Sequence, residues 1–183
     1  MGRRVGVLVS GDGSNLQALL DAGVEVAAVA SNNPEARALG RADVAGVPSA
    51  SFPLDSYPDR DARDTAMADW LATHGVRLVV CAGYMHLLRP GFLERFPGAV
   101  VNVHPALLPA FPGAHAVEQA LEAGVEETGA TVHLVDEGVD SGHVLRQERV
   151  PVLEGDTRES LHARIREVEH RLLPEVVREL AET

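Results

Sequence analysis

Short apolar strands and amphipathic helices alternate along the sequence, and this order predicts an α/β protein with a doubly wound, mostly parallel sheet flanked by helices. Two segments show it most clearly. The β-branched run 5–9 ends at a glycine turn before a helical pattern, and the apolar run 77–82 follows a long helical pattern. The chain has 183 residues, 45% of them hydrophobic, which is enough for one substantial core. Residues 1–183 are therefore predicted to form a single domain.

The amino-terminal half has the clearer alternation. Apolar runs bounded by turn residues predict its strands, which are residues 5–9, 24–30, 48–52 and 77–82. Apolar side chains three and four positions apart predict its helices, which begin at residue 16 and then span residues 36–44 and 59–74. Gly46 is the predicted stop of the second helix.

The carboxyl-terminal half continues the pattern after a short helix at residues 90–95. Its predicted strands are residues 99–103, 130–135 and 143–152, and its predicted helices are residues 116–123 and 157–180. Pro174 lies inside the last helix and can kink it. The proline-rich stretch 105–113 is predicted to be an irregular, functional loop that orders around ligands.

The charge balance disfavours a nucleic-acid partner. The formal net charge is −11, whereas affinity for nucleic acids is built from many Lys and Arg contacts to phosphates. All 16 basic residues are arginine, so neither a Schiff-base lysine nor the lysine of a P-loop is available. Small-molecule substrates are expected, and any phosphate must be held by backbone amides or by arginine.

Cysteine usage and hydropathy indicate the compartment. Cys81 is the lone cysteine and lies in an apolar run, where a buried, reduced thiol is expected. The first apolar run is too short for a signal peptide, and no stretch reaches membrane-spanning length. The sequence therefore predicts a cytoplasmic protein without a membrane partner.

The turn SGDGSN, residues 10–15, joins the first predicted strand to the first helix. Unpaired amides and the positive end of the helix dipole at such a turn can bind a phosphate. Gly13 lets the backbone approach an anion, while Ser14 and Asn15 can donate hydrogen bonds or cap the helix. A tight turn with an N-cap explains the motif equally well. The spacing is not GxGxxG, which disfavours a dinucleotide.

Asn102 and His104 lie at the carboxyl end of the predicted strand 99–103. Side chains two residues apart on a strand point to the same face. Asn102 can donate a hydrogen bond to a carbonyl oxygen that becomes negative, and His104 can exchange a proton near neutral pH. A histidine held by a core hydrogen bond is the alternative, and it explains a lone histidine better than this pair.

The acidic turn 136–142, DEGVDSG, lies between two extended segments. A glycine near Asp140 permits an unusual backbone path that aims the carboxylate inward, where it can orient His104. An ordinary polar turn is the alternative. His115 and His133 suggest a metal site with His104, but HxH, HExxH and CxxC spacings are absent from the sequence, so no metal is expected.

Four stretches, spread over nearly the whole chain, carry a family resemblance. They are VLVSGDGSNLQALLDA at 7–22, CAGYMHLL at 81–88, VNVHPALLPAFPGAHA at 101–116 and TGATVHLVDEGVDSGHVLRQERVPV at 128–152. Through them the chain closely resembles the phosphoribosylglycinamide formyltransferases of purine synthesis. The resemblance implies direct transfer of a formyl group from 10-formyltetrahydrofolate to the amine of glycinamide ribonucleotide, without a metal. The products are formylglycinamide ribonucleotide and tetrahydrofolate.

The resemblance also assigns residues to roles. The catalytic set is Asn102, His104 and Asp140. The ribonucleotide phosphate is held by Gly13, Ser14 and Asn15, with Glu169 at the ribose. The folate lies against Arg60, Met85, His86, Leu87, Leu88, Asn102, Asp136, Glu137, Gly138, Val139 and Asp140. The amino-terminal half thus binds the phosphate, and the carboxyl-terminal half supplies the catalytic residues and most of the folate site.

The chemistry of formyl transfer fits these roles. The amine must attack the formyl carbon, create an oxyanion and lose a proton, while the leaving nitrogen gains one. We expect Asn102 and protonated His104 to stabilise the oxyanion. Asp140, through His104 or a bound water, is expected to manage the proton transfers.

Three features depart from the family pattern. His86 stands where the family commonly has arginine after the methionine, which can alter the folate contacts. Ala106 replaces the serine of HPSLLP and removes a hydroxyl. The absence of lysine removes any lysine that relatives use near the phosphate, and so places more of the anion binding on the glycine turn.

Other functions and assemblies stay open at this point. Methionyl-tRNA formyltransferase and formyltetrahydrofolate deformylase share the Asn, His and Asp residues. The first carries an extra carboxyl-terminal domain and needs a basic surface, and the second carries a regulatory domain before its catalytic one. A non-catalytic nucleotide-binding module explains the first turn but not the three polar residues at strand ends and turns. A homodimer is compatible with the sequence.

Overall fold

One sheet of seven strands organises the protein, whose computed structural model describes residues 2–183. The strands are β1 (Arg4–Val9), β2 (Val26–Ser31), β3 (Ser49–Ser51), β4 (Val76–Cys81), β5 (Val100–His104), β6 (Glu127–Leu134) and β7 (Val144–Pro151). Their order across the sheet is β3-β2-β1-β4-β5-β6-β7. The first five strands pair in parallel, whereas β6 is antiparallel to β5 and β7 is antiparallel to β6. The predicted doubly wound, mostly parallel α/β sheet is confirmed.

Six α-helices flank this sheet in residues 2–183. They are α1 (Ser14–Asp21), α2 (Arg37–Val44), α3 (Arg60–Thr73), α4 (Pro90–Arg95), α5 (Ala116–Glu122) and α6 (Arg158–Glu182), with a short 3₁₀ turn at Leu54–Ser56. The sequence signals for their starts are specific. The Asp59 side chain accepts a hydrogen bond from Ala62 N–H at the start of α3, and Thr157 forms a capping box with Ser160 at the start of α6.

The two faces of the sheet carry separate cores. Val5, Val7 and Val9 point to one face, where they pack in a cluster that includes Leu16 of α1 and Leu173 of α6. Leu8 points to the other face and packs with residues of α3 and α4, such as Met67 and Phe92. Successive side chains of β1 therefore pack alternately in the two cores, as expected for a strand covered on both faces.

Several boundaries differ from those predicted. Strand β2 begins at Val26 rather than residue 24, and β6 begins at Glu127 rather than residue 130. The early part of β6 contains Thr128 and Gly129, which carry no apolar signal, but it pairs with β7 over its whole length. Helix α6 continues through Pro174, which is buried against the core. None of the helices in residues 2–183 is long and apolar enough to cross a bilayer.

The order of the strands places a crevice beside β1. The chain moves from β1 outward through β2 and β3, and then returns to pair β4 with the other side of β1. Because the loops after β1 and β4 leave the same edge in opposite directions, they leave a gap between them. The glycine turn follows β1 and the segment 82–89 follows β4, so both border this gap.

Candidate active site

A cleft of about 630 Å³ lies at the carboxyl ends of the central strands. The glycine turn 10–15 and the segment 82–89 form two of its walls. The end of β5, the acidic turn 136–142 and one face of α6 complete it. The features that the sequence predicted to be functional are thus neighbours in the fold, as ligand sites in doubly wound sheets generally require.

Gly13 is the N-cap residue of α1 and has a φ of 80°. No side chain among residues 2–183 caps this helix, so the alternative in which Ser14 or Asn15 is a capping residue is wrong. Instead Ser14 Oγ lies 3.2 Å from His170 Nε2, and Asn15 Nδ2 donates to Glu169 Oε2 over 3.3 Å. The amides of the first turn have no intrahelical acceptors, which leaves them available to an anion.

Glu169 faces the glycine turn from α6 and is only 5% exposed. Burial raises the pKa of its carboxyl to about 7, although the hydrogen bond from Asn15 and the charge of Arg166 oppose that shift. The Asn15 Oδ1 atom is buried and has no hydrogen-bond partner within residues 2–183. This part of the cleft therefore presents a carboxyl that is protonated in part at neutral pH and an amide oxygen able to accept from a ligand.

Arginine side chains of α6 also line the cleft. Arg158 and Arg166 are among its lining residues, as is His162 between them. These residues are four positions apart on α6 and therefore share one helix face. Arg166 lies about one helical turn before His170, the residue that contacts Ser14. Arg158 is paired with Glu118 over 2.6 Å. The structure thus adds the guanidinium of Arg166 to the α6 side of the cleft, whereas the lysine-free sequence had placed most of the anion binding on the glycine turn.

Asn102 and His104 both line the cleft, and the pairing of β5 with β6 sets what surrounds them. Asn102 lies opposite His133 in the sheet register, and its Nδ2 is 3.3 Å from His133 Nε2. His133 Nδ1 donates to Leu134 O over 2.9 Å, so in the neutral ring Nε2 is the acceptor. The contact fixes the plane of the Asn102 amide and leaves its second N–H for a ligand.

Asp140 connects the two histidines. Its Oδ2 lies 3.3 Å from His104 Nδ1, and its Oδ1 lies 3.6 Å from His133 Nε2. Gly113 N–H donates to the same Oδ2 over 2.8 Å. The unusual backbone path belongs to Asp140 itself, with a φ of 50°, rather than to a glycine next to it. The predicted trio of Asn102, His104 and Asp140 therefore converges at one end of the cleft.

The second nitrogen of His104 is also occupied. His104 Nε2 donates to Phe111 O over 2.7 Å, and the ring is only 4% exposed. With Nε2 bound to a carbonyl, Nδ1 is the nitrogen that faces Asp140 and the reacting groups. A carboxylate, an imidazole and an amide in this arrangement can move a proton and stabilise an oxyanion.

Most of the residues predicted to contact the folate also line the cleft. They are Met85, His86, Leu87, Leu88, Asn102, Asp136, Gly138, Val139 and Asp140. Glu137 and Arg60 are not among the lining residues. Arg60 instead donates from Nη2 to Leu87 O over 2.9 Å, and so holds the segment 82–89.

Besides the residues of α6 described above, three residues next to the catalytic trio were missed by sequence reasoning as members of the site. They are Phe111, Thr131 and His133, of which only His133 had been considered, as a metal ligand. Thr131 Oγ1 donates to Ala106 O and accepts from Leu108 N–H, which holds the loop 105–113 against β6. Alternate positions on β6 signal a shared face, but only the register with β5 brings that face to Asn102.

Two further expectations concern a thiol and a metal. Cys81 is buried, and burial raises the pKa of its thiol to about 12, as expected for an inert thiol. No group of three His, Cys, Asp or Glu side chains in residues 2–183 is arranged to hold a metal ion. That the reaction needs no metal stays a prediction.

Comparison with known proteins gives consistent matches. The family described as "Formyl transferase" matches residues 3–177. A phosphoribosylglycinamide formyltransferase of Mycobacterium tuberculosis is 51% identical over 97% of this chain and 85% of that protein. One of Bacillus subtilis is 38% identical over 97% of this chain and 94% of that protein. The crystal structure of glycinamide ribonucleotide transformylase 1 from Symbiobacterium toebii superposes with a TM-score of 0.96 at 50% identity, covering 99% of this chain and 88% of that one.

Proposed function

The chain belongs to the formyl transferase family, and on that basis we propose that it transfers the formyl group of 10-formyltetrahydrofolate to the amine of glycinamide ribonucleotide. The observation that carries the proposal is the convergence of Asn102, His104 and Asp140 between the glycine turn and the segment 82–89. A phosphate bound at the turn and a folate at that segment would place an amine and a formyl carbon beside these groups.

The bonds made and broken assign a task to each group. The substrate amine attacks the formyl carbon, the new C–N bond forms, and the carbonyl oxygen becomes an oxyanion. The amine then loses a proton, the bond from carbon to the folate N10 breaks, and N10 gains a proton. The net result is formylglycinamide ribonucleotide and tetrahydrofolate, without a change of oxidation state.

Asn102 supplies a hydrogen bond to the oxyanion. His133 occupies one of its two amide hydrogens and sets the plane of the other. Such a donor, fixed before the substrate arrives, stabilises developing charge without reorganisation and contributes roughly 3 kcal/mol in comparable sites.

His104 and Asp140 carry the proton. Because the Nε2–H of His104 is bound to Phe111 O, the ring gains and loses its mobile proton at Nδ1, the nitrogen that faces the Asp140 carboxylate. An imidazolium formed there supplies a positive charge near the oxyanion, beside the neutral Asn102 amide. Asp140 takes the proton of the attacking amine directly or through a water, and the imidazolium gives its Nδ1 proton to N10.

The remaining cleft residues are proposed to bind the two substrates. The amides of Gly13, Ser14 and Asn15 face the phosphate together with Arg166, and the carboxyl of Glu169 accepts from a ribose hydroxyl. The folate lies between the segment 82–89 and the acidic turn 136–142. This arrangement agrees with the acidic net charge, because the positive groups needed for one phosphate are confined to one face of α6.

The proposal is tested by following tetrahydrofolate formation by absorbance with 10-formyltetrahydrofolate and glycinamide ribonucleotide. We expect product only when both substrates are present. Parallel reactions use formate as the donor, or omit the ribonucleotide so that water is the acceptor. Release of tetrahydrofolate without ribonucleotide would indicate a deformylase, and inactivity with either donor would leave a nucleotide-binding module.

The comparisons do not favour these alternatives, since the curated relatives described above are phosphoribosylglycinamide formyltransferases that align over most of their length. A transfer RNA acceptor has no support from the net charge of −11. The cytoplasmic location, the single domain and a homodimer stay predictions.

A further inference from the structure

Residues 82–89, here called the folate loop, are held by hydrogen bonds from Ser10 and from α3. Met85 N–H donates to Ser10 Oγ over 2.9 Å, and Arg89 N–H donates to Asp64 Oδ2 over 2.9 Å. Together with the Arg60 contact to Leu87 O, these bonds fix the backbone at three points. Two of the three come from the first turns of α3, so the position of α3 determines the conformation of the loop.

Arg63, also on α3, is the largest fully buried side chain of the described residues, with 0% exposure. Its Nε donates to Asp64 Oδ1 over 2.6 Å, and its Nη2 lies 3.2 Å from His86 Nδ1 in the folate loop. A buried ion pair usually stabilises a fold no more than apolar side chains of the same volume. Within residues 2–183 the Nη1 atom even lacks a hydrogen-bond partner. Stability alone therefore gives no reason for an arginine here.

His86 is the folate-loop residue whose side chain lies within hydrogen-bond distance of this guanidinium. A guanidinium has donors and no acceptor, so His86 Nδ1 must be unprotonated to accept from Arg63. His86 Nε2 lies 3.4 Å from Asn32 Nδ2, and Asn32 Oδ1 accepts from Ser10 Oγ over 2.6 Å. With Nδ1 unprotonated, Nε2 of the neutral ring carries the hydrogen, so Nε2 and Asn32 Nδ2 are both donors and do not hydrogen-bond in this tautomer. Arg63 is therefore the hydrogen-bond partner that depends on the neutral form of His86.

We propose that Arg63 is a positioning residue for the reaction: through His86 and Asp64 it holds the folate loop in the conformation that accepts the folate. This inference rests on the proposed function, because it takes the cleft side of the loop as the folate site. Met85 and Leu87, which are 67% and 51% exposed, project from the held backbone. They would lose their fixed positions if the contacts behind them were broken.

Protonation of His86 would break the contact. The imidazolium has no lone pair that could accept from Arg63. It would also place its positive charge next to the guanidinium, because Arg63 Nη2 and His86 Nδ1 are 3.2 Å apart. Folate binding should therefore weaken in acid, with a limit of about tenfold for each pH unit below the pKa of His86, since one proton is linked.

The surroundings of His86 determine where this happens. Burial lowers the pKa of His86 below its ordinary value of 6.5, and the charges of Arg63 and Arg60 lower it further, while Asp64 opposes them. The Tyr84 ring, with its centroid 5.9 Å from that of His86, and the Asn32 amide are uncharged neighbours. The neutral, loop-holding form is thus present above the pKa of His86 and is lost as the pH falls through it.

The first experiment measures the dissociation constant of tetrahydrofolate by calorimetry from about pH 7.5 to about pH 5. We compare the full-length protein with His86→Gln, which cannot titrate, and with His74→Gln, a histidine at the far end of α3. We expect the wild type and H74Q to lose affinity in parallel as the pH falls through the pKa of His86. In H86Q the dissociation constant should lack the part of its pH dependence that comes from His86, whatever the affinity of this variant at neutral pH.

The second experiment follows the His86 ring by NMR in the ligand-free protein and so does not depend on folate. The His86 signal, assigned by its loss in H86Q, should titrate below the ordinary histidine pKa. In Arg63→Gln it should titrate at higher pH, because the nearest cation is gone. If R63Q does not fold, the double variant R63Q/D64N removes both charges of the buried pair and serves instead.

The outcomes separate the two proposals. In the R63 variants we expect KM for the folate to rise at least about fivefold more than KM for the ribonucleotide. The acid-dependent loss that H86Q lacks should also be absent in these variants, because the contact that protonation of His86 breaks is already gone. Folate affinity and pH profile equal to those of the wild type would overturn the role of Arg63. A wild type that neither binds tetrahydrofolate nor formylates the ribonucleotide would overturn the proposed function as well.

Discussion

Asp140 adopts a left-handed backbone conformation, with a φ of 50°, and this conformation directs its carboxylate to His104 and His133. Outside glycine, such a conformation is tolerated best by Asn and Asp but is still strained. The bond from Gly113 N–H to Asp140 Oδ2 offsets part of this strain. Asn at this position would keep the backbone preference and lose only the charge.

Asp140→Asn is therefore expected to reduce kcat by roughly 100-fold or more, because a positioned acid or base commonly contributes factors of 10² to 10⁴. KM for either substrate should change by less than about threefold, since the shape of the cleft is kept. Steady-state kinetics measures both. Asp136→Asn, on the same turn but bonded to Ser141 and Gly138, is the control and should retain much more turnover. Near-normal kcat in D140N would remove Asp140 from the mechanism.

Single side chains differ in how far the sequence could predict them. The spacing of Asn102 and His104 on an apolar strand was enough to place both on one face. The contact of His104 with Phe111 O and that of Asn102 with His133 depend on a loop path and on a strand register. Neither leaves a periodic signal, because both join elements that are distant in sequence.

Glu169→Gln should show a pH-dependent gain in stability. The folded protein raises the pKa of this carboxyl from 4.5 to about 7, so the wild type gains stability from the bound proton in acid and loses it as the pH rises through 7. The difference amounts to about 3 kcal/mol at most, at about 1.4 kcal/mol per pKa unit. Gln cannot ionise and does not undergo this loss.

The measurement for Glu169 is the melting temperature of both proteins from about pH 5 to about pH 8. The Tm of E169Q relative to the wild type should increase across that range. Glu167→Gln, an exposed neighbour on α6, should change little with pH. A constant difference between E169Q and the wild type would mean that the carboxyl is already ionised in the folded protein.

Among the helices and strands, the glycine turn links the site to the packing of α1 against α2. A Cβ on Gly13 would lie 2.5 Å from Ala38 Cβ and 2.8 Å from Ala38 Cα, in addition to the φ of 80°. Gly11 has nothing within 4 Å of the corresponding position. The two glycines of one motif therefore have different reasons to be present, which the sequence pattern does not distinguish.

Gly13→Ala is expected to destabilise the protein by about 2–4 kcal/mol, from backbone strain and overpacking combined. It should also raise KM for the ribonucleotide, because the phosphate turn must move away from α2. Gly11→Ala is the matched control and should change stability by less than about 0.5 kcal/mol. Urea unfolding and steady-state kinetics give both quantities. Equal effects of the two substitutions would refute the close approach to Ala38.

Elements with strong periodicity were predicted well, and their ends were not. β6 begins at Glu127 because its first residues pair with β7. Thr128 and Gly129 have no apolar pattern that would predict a strand. The continuation of α6 through Pro174 has a similar cause. Burial of apolar residues on both sides of the proline, such as Leu173 and Val177, outweighs the lost hydrogen bond.

At the scale of the whole molecule, the candidate site lies beside β1, where the chain stops adding strands on one side of the sheet and begins adding them on the other. The strand order that the sequence could not specify, with β1 between β2 and β4, brings the glycine turn and the folate loop together. The two cores share one sheet, so loss of either exposes strands that the other covers. This arrangement predicts that the cores unfold together.

Urea unfolding should accordingly be a single cooperative transition, as predicted for a single domain of residues 1–183. Trp70, the only tryptophan in the sequence, packs on the α3 face and reports that core. The buried Cys81 thiol, through its labelling rate, reports the centre of the sheet, and circular dichroism reports all helices, including α6 on the opposite face. We expect the three midpoints to coincide. A separate early transition in Trp70 fluorescence would show two independently unfolding units and refute the single domain.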